Sequence, residues 1–391
     1  MARGDGDRGR ARAKLHQAEP QAVTFVELFF DLVFVFAVTQ LTATTAEHLD
    51  APGVGRSLVV FWLVWWAWTQ FTWTLNPADT EHPLVRAWTL AAAGVALVMA
   101  ASVPRAFDDQ ALWFALPYLA IRGIGLALQV RVGLEAAEGP SISLRWVWAS
   151  LVGLGLVLAG ALVGPDARPW VWLAAIVADL LAASVGATSD EWDLAPGHFS
   201  ERHGLFVIIA LGESLILAAS AIAGQDRSGH LVATAGAAIL VACLLWWTYF
   251  GWLKEALEEG FAASSTAERG PMARDAYSFL HFPLIGGIIA FAVAVEEVMV
   301  HPDEPASAQV IAALAVGVGL FVGCSAASHR RITGTLLTPR LAIAAATLVA
   351  IVALGGLVPV WPLLAAAVGL LAIVVVEERS HRPNRAAVTF E

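Results

Sequence analysis

The feature that most constrains this chain is a series of apolar runs of about twenty residues, separated by short polar breaks along nearly its whole length. A helix of roughly that length crosses a hydrocarbon layer about 30 Å thick. Inside lipid the backbone amides find no water, so a crossing segment must satisfy them within itself as a helix. The expected fold is therefore all-α, a polytopic transmembrane helical bundle. Its spans are expected at 22–47, 57–75, 84–103, 111–134, 144–163, 169–188, 200–223, 230–253, 276–299, 306–328, 340–358 and 360–376. The breaks fall at turn or charge clusters such as Asn76-Pro77-Ala78-Asp79, Gly164-Pro165-Asp166 and His301-Pro302-Asp303-Glu304. Only Gly355 to Pro362 separates the last two spans, which predicts a tight helical hairpin.

Charged residues make up 14% of the chain, against roughly a quarter in soluble proteins, so the main partner is the lipid bilayer. A net charge of −10, with no basic stripe interleaved with aromatics, excludes nucleic acid. Both cysteines, Cys243 and Cys324, lie in apolar runs and suggest neither a disulfide framework nor a thiolate metal site. The five basic residues before span one resemble the start of a signal peptide, but Glu27 and Asp31 inside the following run mark it as a retained span. No Walker loop, serine elbow or dinucleotide fingerprint is present, and neither Lys14 nor Lys254 sits at mid-span to carry a retinal Schiff base. Neither a cofactor nor a metal is expected.

Basic residues set orientation. With a cytoplasmic start and twelve spans, eighteen Lys and Arg fall inside, four (Arg56, Arg105, Arg168, Arg227) fall outside, and Arg122 alone lies within a span. Both termini are thus expected in the cytoplasm. The chain also repeats itself. Phe25-Val26-Glu27 opens span one as Phe199-Ser200-Glu201 opens span seven, and the same offset of 174 residues lays Thr39-Gln40-Leu41 over Glu213-Ser214-Leu215. The tryptophan-rich segments Trp68 to Trp73 and Trp247 to Trp252 also correspond. The expected organisation is a basic N-terminal tail (1–21), two parallel six-helix halves (22–188 and 189–376) and a C-terminal tail (377–391). Parallel halves recur in transporters, with a site between them.

Ionisable groups inside spans are the candidates for function, because each costs at least ~2.5–3.5 kcal/mol at mid-bilayer. Glu27 and Asp31, at i and i+4, share one helix face and need a cation, a proton or a metal between them. Arg122 cannot discard its charge and calls for a carboxylate from Asp31, Asp179 or Glu213, with Asp31 the first choice. Glu201, Arg202 and His203 open span seven and read equally as a solvated helix start. His198 and His203, five apart with Glu201 between them, lie on diverging faces and do not form a zincin helix. His281, followed by Pro283 and Gly286-Gly287, marks a place where a helix could be interrupted, either for a proton relay or as a histidine bonded to a neighbouring helix. Glu296 and Glu297 are expected in a solvated vestibule. Trp65, Trp66 and Trp68 fall at mid-depth, where they line an aromatic cavity or serve packing and lipid contact.

Two segments carry a family likeness: Val26-Glu27-Leu28-Phe29-Phe30-Asp31 continuing to Leu41, and His198-Phe199-Ser200-Glu201-Arg202-His203-Gly204 continuing to Ser214. The chain resembles the bacterial low temperature requirement A family over residues 20 to 380. That name records a cold-growth phenotype rather than a molecular activity. The resemblance implies a polytopic protein of the bacterial cytoplasmic membrane and supplies no substrate. Three readings follow from the charges: a proton-linked secondary transporter or ion pathway for an unspecified small solute or proton, built on Glu27, Asp31, Arg122, Asp179, Glu201, Arg202, Glu213 and His281; an intramembrane lipid-handling enzyme; and a scaffold or sensor. Oligomeric state is left open.

Overall fold

The structure is a computed structural model and describes residues 15–16, 22–135, 144–186, 194–224 and 228–388. The basic residues from Arg3 to Lys14, Arg227 and the expected boundary between the halves near residue 189 lie outside the described residues, as do the side chains of Arg145, Arg382 and Arg385.

Helices make up nearly all of what is described. They are α1 (Phe25–Glu47), α2 (Ala51–Leu75), α3 (Pro83–Ala101), α4 (Leu112–Leu134), α5 (Leu144–Leu162), α6 (Arg168–Gly186), α7 (Pro196–Gly224) and α8 (Gly229–Phe250). After these come two short helices, α9 (Leu253–Ala262) and α10 (Thr266–Met272), then α11 (His281–Val300), α12 (Ala308–Thr333), α13 (Thr338–Ala353) and α14 (Val360–Val388). Side chains satisfy the free amides at several helix starts: Asp50 accepts from Gly53 N at 2.8 Å and Ser228 from Leu231 N at 3.0 Å. α12 stops at Gly334, whose φ of 76° is one that L side chains rarely adopt.

Among the described residues, eight helical stretches are long and apolar enough to cross a membrane: Phe25–Glu47, Pro83–Ala101, Leu112–Leu134, Pro196–Gly224, Gly229–Ala262, Thr266–Val300, Ala308–Thr333 and Val360–Ser380. The expected count of twelve is thus met by length and composition only for eight. α5 and α13 are shorter apolar helices. α2 differs in character: Trp62, Trp65, Trp66 and Trp68 are all buried within the bundle, as are Thr69, Gln70 and Thr72. Packing, one of the roles expected for the mid-depth tryptophans, is what their burial shows.

α1 packs on α2 and α3, α3 on α4, α2 on α4 and α6, α4 on α5, and α5 on α6. In the second part of the chain α7 packs on α8 and α11, α11 on α12, α8 on α12 and α14, α12 on α13, and α13 on α14. α1 lies against both α7 and α11, joining the two sets. Lipid tails are as apolar as leucine, so helices in a bilayer associate by close packing rather than by escape from solvent. α11 and α12 show this: a Cβ on Gly287 would stand 2.7 Å from Gly317 O, and one on Gly317 2.8 Å from Gly287 O.

The interruption expected near His281 takes another form. The chain runs from α10 into α11 through a widened turn, Ala273–Phe279, where the hydrogen bonds skip five residues, as from Leu280 N to Asp275 O at 3.1 Å. The N-terminal tail is also not wholly free: Leu15 is buried, and its N–H donates to Glu135 Oε2 at 2.7 Å.

Candidate functional site

Where α1 meets α7, five polar side chains are buried together. Glu27 and Asp31 come from α1, His198 and Arg202 from α7, and Asn76 from the end of α2. Arg202 bonds Asp31 Oδ1 through Nη2, and its Nη1 lies 3.6 Å from Glu27 Oε1. Trp68 donates Nε1–H to the same Asp31 oxygen at 2.7 Å and presents its ring face to the Arg202 guanidinium at 5.6 Å. One indole therefore serves both charges. Glu27 also accepts from Thr24 N at 3.0 Å and from Thr24 Oγ1 at 2.9 Å, so the residue that caps α1 is itself part of the cluster.

The proton on His198 can be assigned from its neighbours. Asn76 Oδ1 accepts from Ala195 N at 2.8 Å, and its Nδ2 donates to Ala195 O at 3.1 Å, which fixes the amide. That Nδ2 also faces His198 Nδ1 at 3.2 Å, so Nδ1 accepts and Nε2 carries the hydrogen toward Glu27, 3.0 Å away. His198 thus adds a hydrogen bond rather than a positive charge. Two carboxylates share one guanidinium, and the cluster is one positive charge short when both are ionised. Asp31 Oδ2 and Arg202 Nε make no hydrogen bond within the protein.

Arg202 is fully buried, against the expectation of a solvated helix start. α7 begins at Pro196, four residues before the expected span, and this carries Arg202 nearly two turns into the bundle. Its capture of Asp31 also corrects the first-choice partner for Arg122. Arg122 instead sits 3.6 Å from Asp179 Oδ1 of α6 and donates to Tyr118 Oη at 2.9 Å. Space for Asp179 comes from Gly153 on α5, where a Cβ would stand 2.8 Å from Asp179 Oδ1. Nor is Arg122 alone in being buried. Arg340 is buried too, 3.4 Å from Glu377 Oε1 and bonded to Thr248 O at 2.9 Å. Its place beside a loop made it look like one more cytoplasmic charge, and nothing in the local sequence marked Glu377 as its partner.

Glu201 and Glu213 remain on α7 but outside the cluster. Glu201 Oε2 accepts from Val23 N at 3.4 Å, and Glu213 Oε2 from Thr39 Oγ1 at 2.6 Å. The contacts between α1 and α7 hold a nearly constant separation of 171 to 178 residues, so the two helices run side by side in one direction. The Thr39 to Glu213 contact joins the very positions that the 174-residue repeat aligns. Glu296 feels the charges of Glu297, Glu213 and Glu47, and so belongs to an acidic group around Glu213.

His203 turns away from His198 and joins an aromatic group, with ring centroids 5.0 Å from Trp68, 5.2 Å from Tyr277 and 5.3 Å from His281. His281 bonds to the Tyr249 hydroxyl of α8 at 2.8 Å and, through Nδ1, to Ala276 O at 2.9 Å. It is thus a histidine tied to a neighbouring helix. The widened turn supplies acceptors to several elements: Ala276 O also takes Ser328 Oγ, Ser278 O takes Trp65 Nε1 at 2.8 Å, and Ser278 Oγ takes Trp73 Nε1 at 2.9 Å.

The chain is 28% identical over 292 residues to an uncharacterized protein of Rhizobium meliloti (strain 1021), covering 72% of this chain and 70% of that one. No solved structure matches the chain. The sequence profile of the bacterial low temperature requirement A protein matches residues 22–376, and the chain belongs to that family.

Proposed function

We infer that this protein is a proton-linked transporter or ion pathway of the bacterial cytoplasmic membrane, with Glu27, Asp31 and Arg202 as its ionisable centre. One observation carries the reading: two fully buried carboxylates share a single guanidinium, while His198 is held as a hydrogen-bond donor by Asn76. Burying an unbalanced charge is expensive, and an ionisable group inside a span is by default a candidate for function. A group that is stable with one proton and also without it needs such an imbalance. Arg122, Asp179, Glu213 and His281 flank the centre as second-rank participants.

The same reading takes the chain as two parallel six-helix halves spanning the membrane twelve times, with both termini in the cytoplasm. Support comes from the matching neighbour relations of α1 to α6 and of α7, α8 and α11 to α14, and from Thr39 meeting its own repeat counterpart Glu213. Counterparts touch only near the axis that relates two halves. The ionisable centre then lies beside that axis, between the two halves.

Full-length protein in liposomes with a pH dye trapped inside, under a potassium diffusion potential, tests the reading. Proton entry above that of protein-free vesicles is expected, with loss of that entry in Asp31→Asn, which keeps the shape but cannot ionise. Wild-type entry no faster than in protein-free vesicles across the pH range would remove proton movement and favour a scaffold.

A further inference from the structure

Two cavities meet at the end of the bundle that carries the α1–α2, α3–α4 and α5–α6 connections, and they differ in chemistry. One, of about 310 Å³, is mixed, its polar part bordered by Thr44, His48, Asp50, Arg56, Ser57 and Asp108 and the rest by apolar side chains such as Leu41, Val60 and Phe107. The other, of about 710 Å³, is a groove between α2 and α6 walled by Leu58, Val59, Trp62, Leu173, Ile176 and Phe282. Pro52 and Arg56 border both. From Arg56 to Trp62 the groove descends about 9 Å along α2, at 1.5 Å per residue. A polar chamber joined at one arginine to an apolar trough has the outline of a single amphiphile.

Charge narrows the class. Arg56 is exposed, and its guanidinium lies 5.8 Å from the Phe107 ring at the wall of the polar chamber, with no carboxylate bonded to it among the described residues. Around it stand Asp50 and Asp108 in the chamber and Asp166 at the mouth of the groove. Asp50 Oδ1 accepts from Gly53 N, whereas the Asp108 carboxylate accepts no hydrogen bond among the described residues, its backbone oxygen taking Arg168 at 2.7 Å. Thr44 Oγ1 makes no hydrogen bond within the protein. Arg168 is buried behind Asp108, so Arg56 is the cation exposed to the chamber and three carboxylates stand near it, an arrangement that suits a headgroup with an anionic centre next to an ammonium better than one that is only anionic.

We propose that these cavities form one binding site for a zwitterionic aminophospholipid, with the phosphate at Arg56, the ammonium toward Asp108 and Asp50, and an acyl chain in the α2–α6 groove. Occupancy is independent of whether the α1–α7 centre moves protons.

Native mass spectrometry of the detergent-purified full chain, titrated with phosphatidylethanolamine, phosphatidylglycerol or soluble phosphoethanolamine, tests this. Phosphatidylethanolamine should bind best. Arg56→Gln should weaken it by about tenfold or more, as for a lost hydrogen bond to a charged group, and Leu58→Trp should weaken it by filling the groove. Asp108→Asn should narrow the preference over phosphatidylglycerol. All three positions are exposed, and the monomer peak of each variant in size-exclusion chromatography checks its fold. Equal binding of both lipids, unchanged by Arg56→Gln and Leu58→Trp, would show only the general lipid coat and overturn the proposal. So would preference for phosphatidylglycerol, or phosphoethanolamine binding as tightly as the lipid, which would make the chamber a solute site.

Discussion

The α1–α7 cluster and the α4–α6 pair bury the same kinds of group in different proportions. Arg122 and Asp179 stand one to one, with Tyr118 taking a further guanidinium hydrogen bond. Arg202 faces two carboxylates at once, and Trp68, Asn76 and His198 supply the hydrogen bonds that a second cation would otherwise make unnecessary. Balance lets a pair be exchanged for apolar residues with little loss. An unbalanced cluster keeps a charge when one pair is removed, because removing either sign leaves a different remainder.

The largest expected effect follows from that remainder. Arg202→Met strands two carboxylates and should abolish the monodisperse folded protein, as judged by size-exclusion chromatography. Arg122→Met strands one carboxylate and should lower unfolding stability by ~3–5 kcal/mol. If Arg122→Met proved the more damaging, the contrast between the sites would be lost. Next in size is recovery: Arg122→Met with Asp179→Leu should return stability to near the wild-type value, whereas Arg202→Met with Asp31→Leu should not, since Glu27 keeps its charge. Size-exclusion chromatography of the four variants, with thermal unfolding of those that remain folded, decides this.

Trp68→Phe should cost about 1.5–3 kcal/mol through its lost bond to a charged acceptor, and the same measurement should show Gln70→Leu to be milder. Gln70 bonds only the Arg122 carbonyl, at 3.3 Å. The smallest effect is expected at Thr39→Val, about 1 kcal/mol for a single hydrogen bond. A loss there as large as that of Arg122→Met would give the buried Glu213 the same dependence on a single partner as Asp179 has on Arg122.

Helix positions were legible because a run of apolar residues declares itself locally. α1, α3, α4 and α12 fall within a few residues of their expected bounds. The i, i+4 pairing of Glu27 and Asp31 was equally plain. Their partner was not, since whether a guanidinium meets Asp31 or Asp179 depends on which helices become neighbours, and no spacing along the chain encodes that. Arg202 was misplaced for a related reason: its burial comes from α1 and α2 lying over the start of α7. Asn76, read as a turn residue, proved to fix the His198 tautomer, a role that needs Ala195 beside it.

The widened turn at Ala273–Phe279 has a mechanical consequence. Its acceptors hold Trp65 and Trp73 of α2, Ser328 of α12 and His281 of α11. Sliding α2 past α12 would break bonds on both sides of one turn, so these elements form a rigid body that crosses from the first part of the chain into the second. The α1–α7 seam is fastened to the same body, since Trp68 of α2 bonds Asp31 and Asn76 at its end bonds His198 of α7, so a change of ionisation at Asp31 would pull on the clamped α2.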